Sequence, residues 1–201
     1  MTTLDRLRAE RVVAVLRRVE KVDWIVHGLV AGGIRIIEIT LDSDDAFGRI
    51  QQLRARRDVT VLAGTVRTPE EAEAAVEAGA EACVAPALVP EMVDRCRALG
   101  VPAIPGALTP TEIEAAARLG AELVKLFPGS FVGPRYVREV LAPLVGVELI
   151  VTGGVDLSNA GAFIEAGAVA VGVGSALTGA PDVESRARRL RDQVLAAKSS
   201  S

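Results

Sequence analysis

The stretch Thr109-Pro-Thr-Glu-Ile-Glu-Ala-Ala-Ala-Arg-Leu-Gly120 runs directly into Ala121-Glu-Leu-Val-Lys-Leu-Phe-Pro128. Together they spell one helix followed by one strand. Thr109 suits a helix N-cap, Pro110 fits the first turn where its missing N–H costs nothing, and Glu112 stands three residues past the cap. Gly120 suits the left-handed residue that ends a helix. Leu123–Pro128 is apolar apart from one lysine, as expected of a strand buried in a parallel sheet.

The same unit recurs along the chain. Strand-like runs lie at Val12–Arg17, Ile34–Thr40, Val59–Val66, Glu81–Pro86, Val101–Ala107, Leu123–Pro128, Val147–Gly154 and Ala168–Leu177. Helix-period segments fill the spaces: Asp23–Ala31, Asp44–Arg56, Pro69–Ala78, Pro90–Leu99, Pro110–Leu119, Pro134–Leu141, Ser158–Ala166 and Asp182–Ala197. Thr68-Pro-Glu-Glu71 repeats the start signal, and Gly32, Gly79, Gly100, Gly120 and Gly167 are expected as left-handed stops. Glu77-Ala-Gly-Ala80 and Glu165-Ala-Gly-Ala168 write the same helix-to-strand turn twice. Eight such units predict a closed (β/α)₈ TIM barrel in a single α/β domain over 1–201, with a leading helix in 1–11. A doubly wound sheet is the alternative, but it more commonly shows fewer units. The tail Ser199–Ser201 is expected to be disordered.

Composition narrows the function. A net charge of -3 and a pI of about 5.4 argue against a broad nucleic-acid or anionic-membrane surface. No signal pattern or spanning apolar segment is evident, so a cytoplasmic protein is expected. Cys83 and Cys96 do not suggest a disulfide framework, and the sole histidine, His27, lies in a helix pattern as a surface or packing residue. No residue cluster suits zinc, so metal-dependent carbonyl chemistry is disfavoured.

Lys125 is the unusual residue. The chain has three lysines against twenty arginines, and Lys21 and Lys198 stand in polar settings near its ends. An amine set in an apolar wall loses hydration, and part of it takes the neutral, nucleophilic form that makes a Schiff base with a carbonyl. An edge-strand lysine reaching out to water is the plainer alternative. Glu38, in Ile36-Ile-Glu-Ile-Thr40, is a second charge in a strand-like run. It is read either as half of a structural ion pair with Lys125 or Arg17, or as a general acid/base beside the amine.

Strand alternation tests whether these groups share the barrel interior. Val13, Val15 and Arg17 fall on one side of the first run, and Ile36, Glu38 and Thr40 on one side of the second. Ala63 and Thr65 do so on the third, and Val84 and Pro86 on the fourth. Leu123, Lys125 and Phe127 follow on the sixth, and Ile150, Thr152 and Gly154 on the seventh. Late polar residues thus gather on one parity at the barrel end where active sites lie. Val151-Thr-Gly-Gly-Val155 and Gly172-Val-Gly-Ser175 add two glycine-rich turns there, suited to backbone contact with a phosphate.

Read together, Val12–Arg17, Ala31–Leu41, Gly64-Thr65-Val66, Ile104-Pro-Gly106, Thr109–Glu112, Lys125–Pro128, Thr152-Gly-Gly154 and Val171–Ser175 resemble a known family. It is the pyruvate-dependent class I aldolase family of 2-keto-3-deoxy-6-phosphogluconate (KDPG) and 4-hydroxy-2-oxoglutarate (KHG) aldolases. The resemblance implies Lys125 as the Schiff-base lysine and Glu38 as its acid/base. It implies Arg17 and Thr65 on the pyruvate carboxylate, Pro86 and Phe127 shaping the pocket, and Thr152, Gly153, Gly154, Gly174 and Ser175 at a phosphate end. It also implies a small keto acid and a sugar phosphate as partners, a homotrimer, and no metal or organic cofactor. One position departs: many members carry arginine four residues after the glutamate, against the substrate carboxylate, and here it is Asp42. Either Arg17 takes over that anchoring or the substrate differs. The expected reaction is reversible cleavage of a 2-keto-3-deoxy-6-phospho sugar acid to pyruvate and glyceraldehyde 3-phosphate. The galactonate epimer and KHG stand as alternative substrates, and a sugar-phosphate isomerase or epimerase and a non-catalytic barrel stand as rivals.

Overall fold

The computed structural model describes residues 1–179 and 181–197; the tail expected to be disordered lies outside them. Nine parallel strand segments form one sheet: β1 (Val12–Leu16), β2 (Ile36–Thr40), β3 (Thr60–Gly64), β4 (Cys83–Val84), β5 (Ala103–Ile104), β6 (Gly106–Ala107), β7 (Val124–Leu126), β8 (Leu149–Thr152) and β9 (Ala170–Val173). Their order is β5-β4-β3-β2-β1-β9-β8-β7-β6. The two ends of that order are consecutive in sequence, so the ring closes on itself as a TIM-type barrel.

The seam is Pro105. The fifth run was expected to be continuous, but proline has no N–H to donate and the ladder breaks there. Pro105 still accepts a hydrogen bond from the Lys125 amide at 2.9 Å, which ties the seam to β7. The last expected run is also shorter than its apolar pattern. β9 ends at Val173, and after Gly174 the chain turns into a four-residue helix, α9 (Ser175–Thr178).

Helices alternate with the strands, and the capping logic holds at Thr68 and Thr109, whose hydroxyls accept from the amides of Glu71 and Glu112. The repeated Glu-Ala-Gly-Ala turn forms the same bonds twice: the Ala80 amide donates to Ala75 and the Ala168 amide to Phe163. One expected stop is displaced. Gly32 keeps a right-handed backbone and the left-handed residue is Gly33, at φ 88°. Gly32 instead admits α10 (Val183–Ala196), because a Cβ there would overlap Ala187. The helix read as Pro134–Leu141 begins earlier, in α7 (Gly129–Leu141), which is broken at Gly133.

Two apolar clusters make the core. The larger lies between sheet and helices. The smaller fills the ring with Val13, Ile36, Leu62, Val84, Ile104, Leu123 and Ile150. Leu4 and Leu7 of α1 (Thr3–Glu10) pack on that layer and plug one end of the barrel.

Candidate active site

The smaller cluster fixes what stands above it. Two residues after Ile36 comes Glu38, and two after Leu123 comes Lys125, so both side chains continue the inward rows. Glu38 is level with Val15 of β1 and Leu62 of β3, while Lys125 is level with Gly106 of β6 and Ile150 of β8. Lys125 Nζ and Glu38 Oε1 meet at 3.7 Å, with side-chain exposures of 7% and 3%. That distance is too long for a hydrogen bond. Among the described residues Glu38 Oε1 has no hydrogen-bond partner, so its capacity is free for a third group. Nζ also lies 5.3 Å from the centre of the Phe127 ring. A buried ion pair is a weak source of stability. An unsatisfied carboxylate beside a dry amine is better suited to passing protons to something between them.

Every sequence-expected site residue lines one cavity of about 740 Å³ above this pair. Arg17, Thr65 and Pro86 stand on the β1, β3 and β4 side, and Phe127 follows Lys125. Across the ring, buried Thr152 leads into Gly153 and Gly154, whose φ values of 89° and 71° need glycine. Gly174 and Ser175 follow β9, where the first N–H groups of α9 have no acceptor within the helix.

The alternation expected on the third strand is overturned. Leu62 belongs to the inner cluster and Ala63 to the outer one, so Ala63 faces the helices. Gly64 holds the inward place, and a Cβ there would overlap the Glu38 carboxylate. Thr65 still lines the cavity because its backbone is left-handed, at φ 61°, which breaks the two-residue rhythm. A β-branched residue in that region is strained.

Asp42 is not among the residues lining this cavity; it lines a side pocket of about 300 Å³ that shares Arg17, Thr65 and Arg67 with it. Its Oδ2 takes Arg17 at 2.8 Å and Arg18 at 3.2 Å. Burial works to raise the Asp42 carboxyl, but hydrogen bonds from Thr40 and Arg17 and the two arginine charges outweigh it and hold it below its ordinary value. The acid is therefore a clamp on Arg17 rather than a bare negative charge facing the substrate. Among the described residues Glu38 pairs with Lys125 and not with Arg17.

Four polar residues of the cavity carry no site role in the sequence reading: Thr40, Arg67, Asp156 and Thr178. Thr40 shares the parity of Glu38 and was legible on that ground. Arg67 lies between a barrel strand and the Thr68 cap, which is itself a signal for an active-site loop. Asp156 and Thr178 lie beyond strand ends and carry no periodic signal.

Cys83 and Cys96 are free and buried, and His27 is exposed. Among the described residues no group of three or more His, Cys, Asp or Glu could hold a metal ion, and no helix is long and apolar enough to cross a membrane.

Comparison with known proteins gives a consistent result. A family model described as "KDPG and KHG aldolase" matches residues 4–189. The 2-dehydro-3-deoxy-phosphogluconate aldolase of Treponema pallidum is 38% identical over 170 residues, covering 82% of this chain and 80% of that protein. The crystal structure of a 4-hydroxy-2-oxoglutarate/2-dehydro-3-deoxyphosphogluconate aldolase superposes with a TM-score of 0.88 at 34% identity, over 96% of this chain and 99% of the other. A KDPG aldolase from Legionella pneumophila, captured with pyruvate as a covalent carbinolamine, superposes with a TM-score of 0.78 at 25% identity, over 96% of each chain.

Proposed function

The chain belongs to the KDPG and KHG aldolase family, and from that membership we propose that Lys125 and Glu38 carry out its lyase chemistry. The enzyme cleaves a 2-keto-3-deoxy-6-phospho sugar acid to pyruvate and glyceraldehyde 3-phosphate. Lys125 Nζ adds to the C2 ketone to give a carbinolamine. Loss of water leaves an iminium that accepts the electron pair of the C3–C4 bond as it breaks. Glu38 takes the C4 hydroxyl proton, so that carbon leaves as the aldehyde. The enamine is then protonated at C3, and hydrolysis of the imine releases pyruvate and restores the amine. The iminium is the electron sink, so this route requires no metal or organic cofactor.

The observation that carries this reading is the 3.7 Å approach of two buried, oppositely charged groups, with a carboxylate oxygen left unbonded. In the same reading, Thr65 and Arg17 serve the carboxylate end, and Pro86 and Phe127 shape the pocket. Thr152, Gly153, Gly154, Gly174 and Ser175 line the phosphate end. The two left-handed glycines and the start of α9 support that assignment, as anion sites in such barrels fall at these loops. Trimeric assembly belongs to the reading as well. Phe131 and Trp24, 79% and 50% exposed, offer apolar surface that a neighbouring subunit would cover, and sedimentation equilibrium reports the mass.

Incubation with pyruvate and borohydride, followed by peptide mass mapping, is the direct test. A reduced pyruvyl adduct on the Lys125 peptide is expected. A protein left unmodified would remove the Schiff base and the mechanism with it. Steady-state assays on KDPG, its galactonate epimer and KHG then rank the substrates.

A further inference from the structure

Arg17, Thr65 and Arg67 are the three residues that line both the catalytic cavity and the side pocket beside it. Two cationic side chains thus stand at this junction, and they are not equivalent. Arg17 places Nε and Nη2 on Asp42 Oδ2 at 2.9 and 2.8 Å, so its fork is already committed to an acid of the protein. The Arg67 guanidinium makes no ion pair or hydrogen bond among the described residues.

The Arg67 backbone is nevertheless fixed. Its amide donates to Glu71 Oε2 at 2.6 Å, and Thr68 caps the helix that follows. On the other side, Val66 is fully buried and its amide donates to Val84 at 3.0 Å. A held base with an uncommitted head is an arrangement for meeting something that arrives from solvent.

The chemistry says what arrives. A 2-keto acid carries a carboxylate on the carbon bonded to C2, so binding C2 at Lys125 brings that anion close to the Glu38 carboxylate. Arg17 reaches that end with much of its charge already offset by Asp42, so a second cation is needed. We propose that Arg67 is that cation: it joins Thr65 and the clamped Arg17 in anchoring the keto-acid carboxylate. Arg67 is then the residue that makes the enzyme select keto acids over neutral ketones. This inference rests on the Schiff-base reading above.

The test compares borohydride trapping of wild type, Arg67→Gln and Arg67→Lys with pyruvate and with acetone, a ketone lacking the carboxylate. In Arg67→Gln, trapping efficiency with pyruvate should fall about ten- to a hundredfold, the scale of a charge-assisted hydrogen bond to a carboxylate. Trapping with acetone should stay unchanged, and Arg67→Lys should recover part of the loss. Equal losses with both ketones, or an unchanged response to pyruvate while wild type still forms its adduct, would overturn the role of Arg67 and leave the aldolase reading intact. Absence of any adduct in wild type would sink both together.

Discussion

Gly64 stands on the strand beside Glu38, and the space its missing side chain leaves is occupied by the Glu38 carboxylate. The acid keeps its place near Lys125 because its neighbour has no Cβ. Gly64→Ala should therefore push the carboxylate aside while leaving the strand conformation acceptable, since Gly64 is not left-handed. A misplacement of this kind is expected to lower kcat about a hundredfold. Steady-state kinetics, with circular dichroism to check the fold, make the comparison.

The buried pair can be taken apart one charge at a time. Lys125→Met leaves the 3%-exposed Glu38 side chain without its cation. It should abolish trapping and cost about 3–5 kcal/mol of stability. Lys125→Met combined with Glu38→Gln should regain most of that stability and none of the activity. Glu38→Gln alone should slow turnover about 10²–10⁴-fold yet still permit a slow adduct on Lys125. Urea denaturation and trapping separate these outcomes.

Ser175 offers a way to tell a phosphorylated substrate from a plain keto acid. Ser175→Asp adds a negative charge at the start of α9, where an acid is tolerated by the helix itself. KM for KDPG should rise about tenfold or more through like-charge repulsion. KM for KHG should change far less. Equal effects on both would argue that no phosphate binds at this turn.

Asp42 gives a pH dependence with a definite sign. Its folded carboxyl lies below the ordinary value of 3.8, so the clamp on Arg17 and Arg18 is fully formed above that pH. It is lost as pH falls through the lower folded value. Relative to Asp42→Asn, the wild type should hold an advantage of at most about 1 kcal/mol near neutrality, because both arginines are largely exposed. That advantage should fade only below about pH 4. An advantage that instead grew with acidity would contradict the assignment.

Leu7 is fully buried at the plugged end, away from the chemistry. Leu7→Ala should cost about 2–5 kcal/mol in denaturant titrations. Activity per folded molecule should stay unchanged.

Much of this was legible because local signals agreed with the global arrangement. Thr109, Pro110 and Glu112 announce one helix start, and Ile36-Ile-Glu-Ile-Thr40 carries its inward row without interruption. The reading went wrong where a single backbone torsion changes the count. Nothing in Gly64-Thr65-Val66 signals that Thr65 is left-handed, so alternation put Ala63 on the wrong side. Gly32 reads as a left-handed stop in the sequence because a glycine at a helix end suits that cap as readily as it suits a close helix contact. The Asp42 clamp was invisible for another reason. It joins residues 17, 18 and 42 across two loops, and only the register of β1 against β2 brings them together.

Closure at Pro105 has a consequence for how the enzyme fails on heating. Among the described strands the ladder is interrupted at Pro105, and the amide that ties this residue to β7 belongs to Lys125. Loosening of that joint would swing the Lys125 amine away from Glu38 before the rest of the ring gave way. Loss of turnover should thus run ahead of loss of helicity as temperature climbs, and on cooling the two should return in the opposite order.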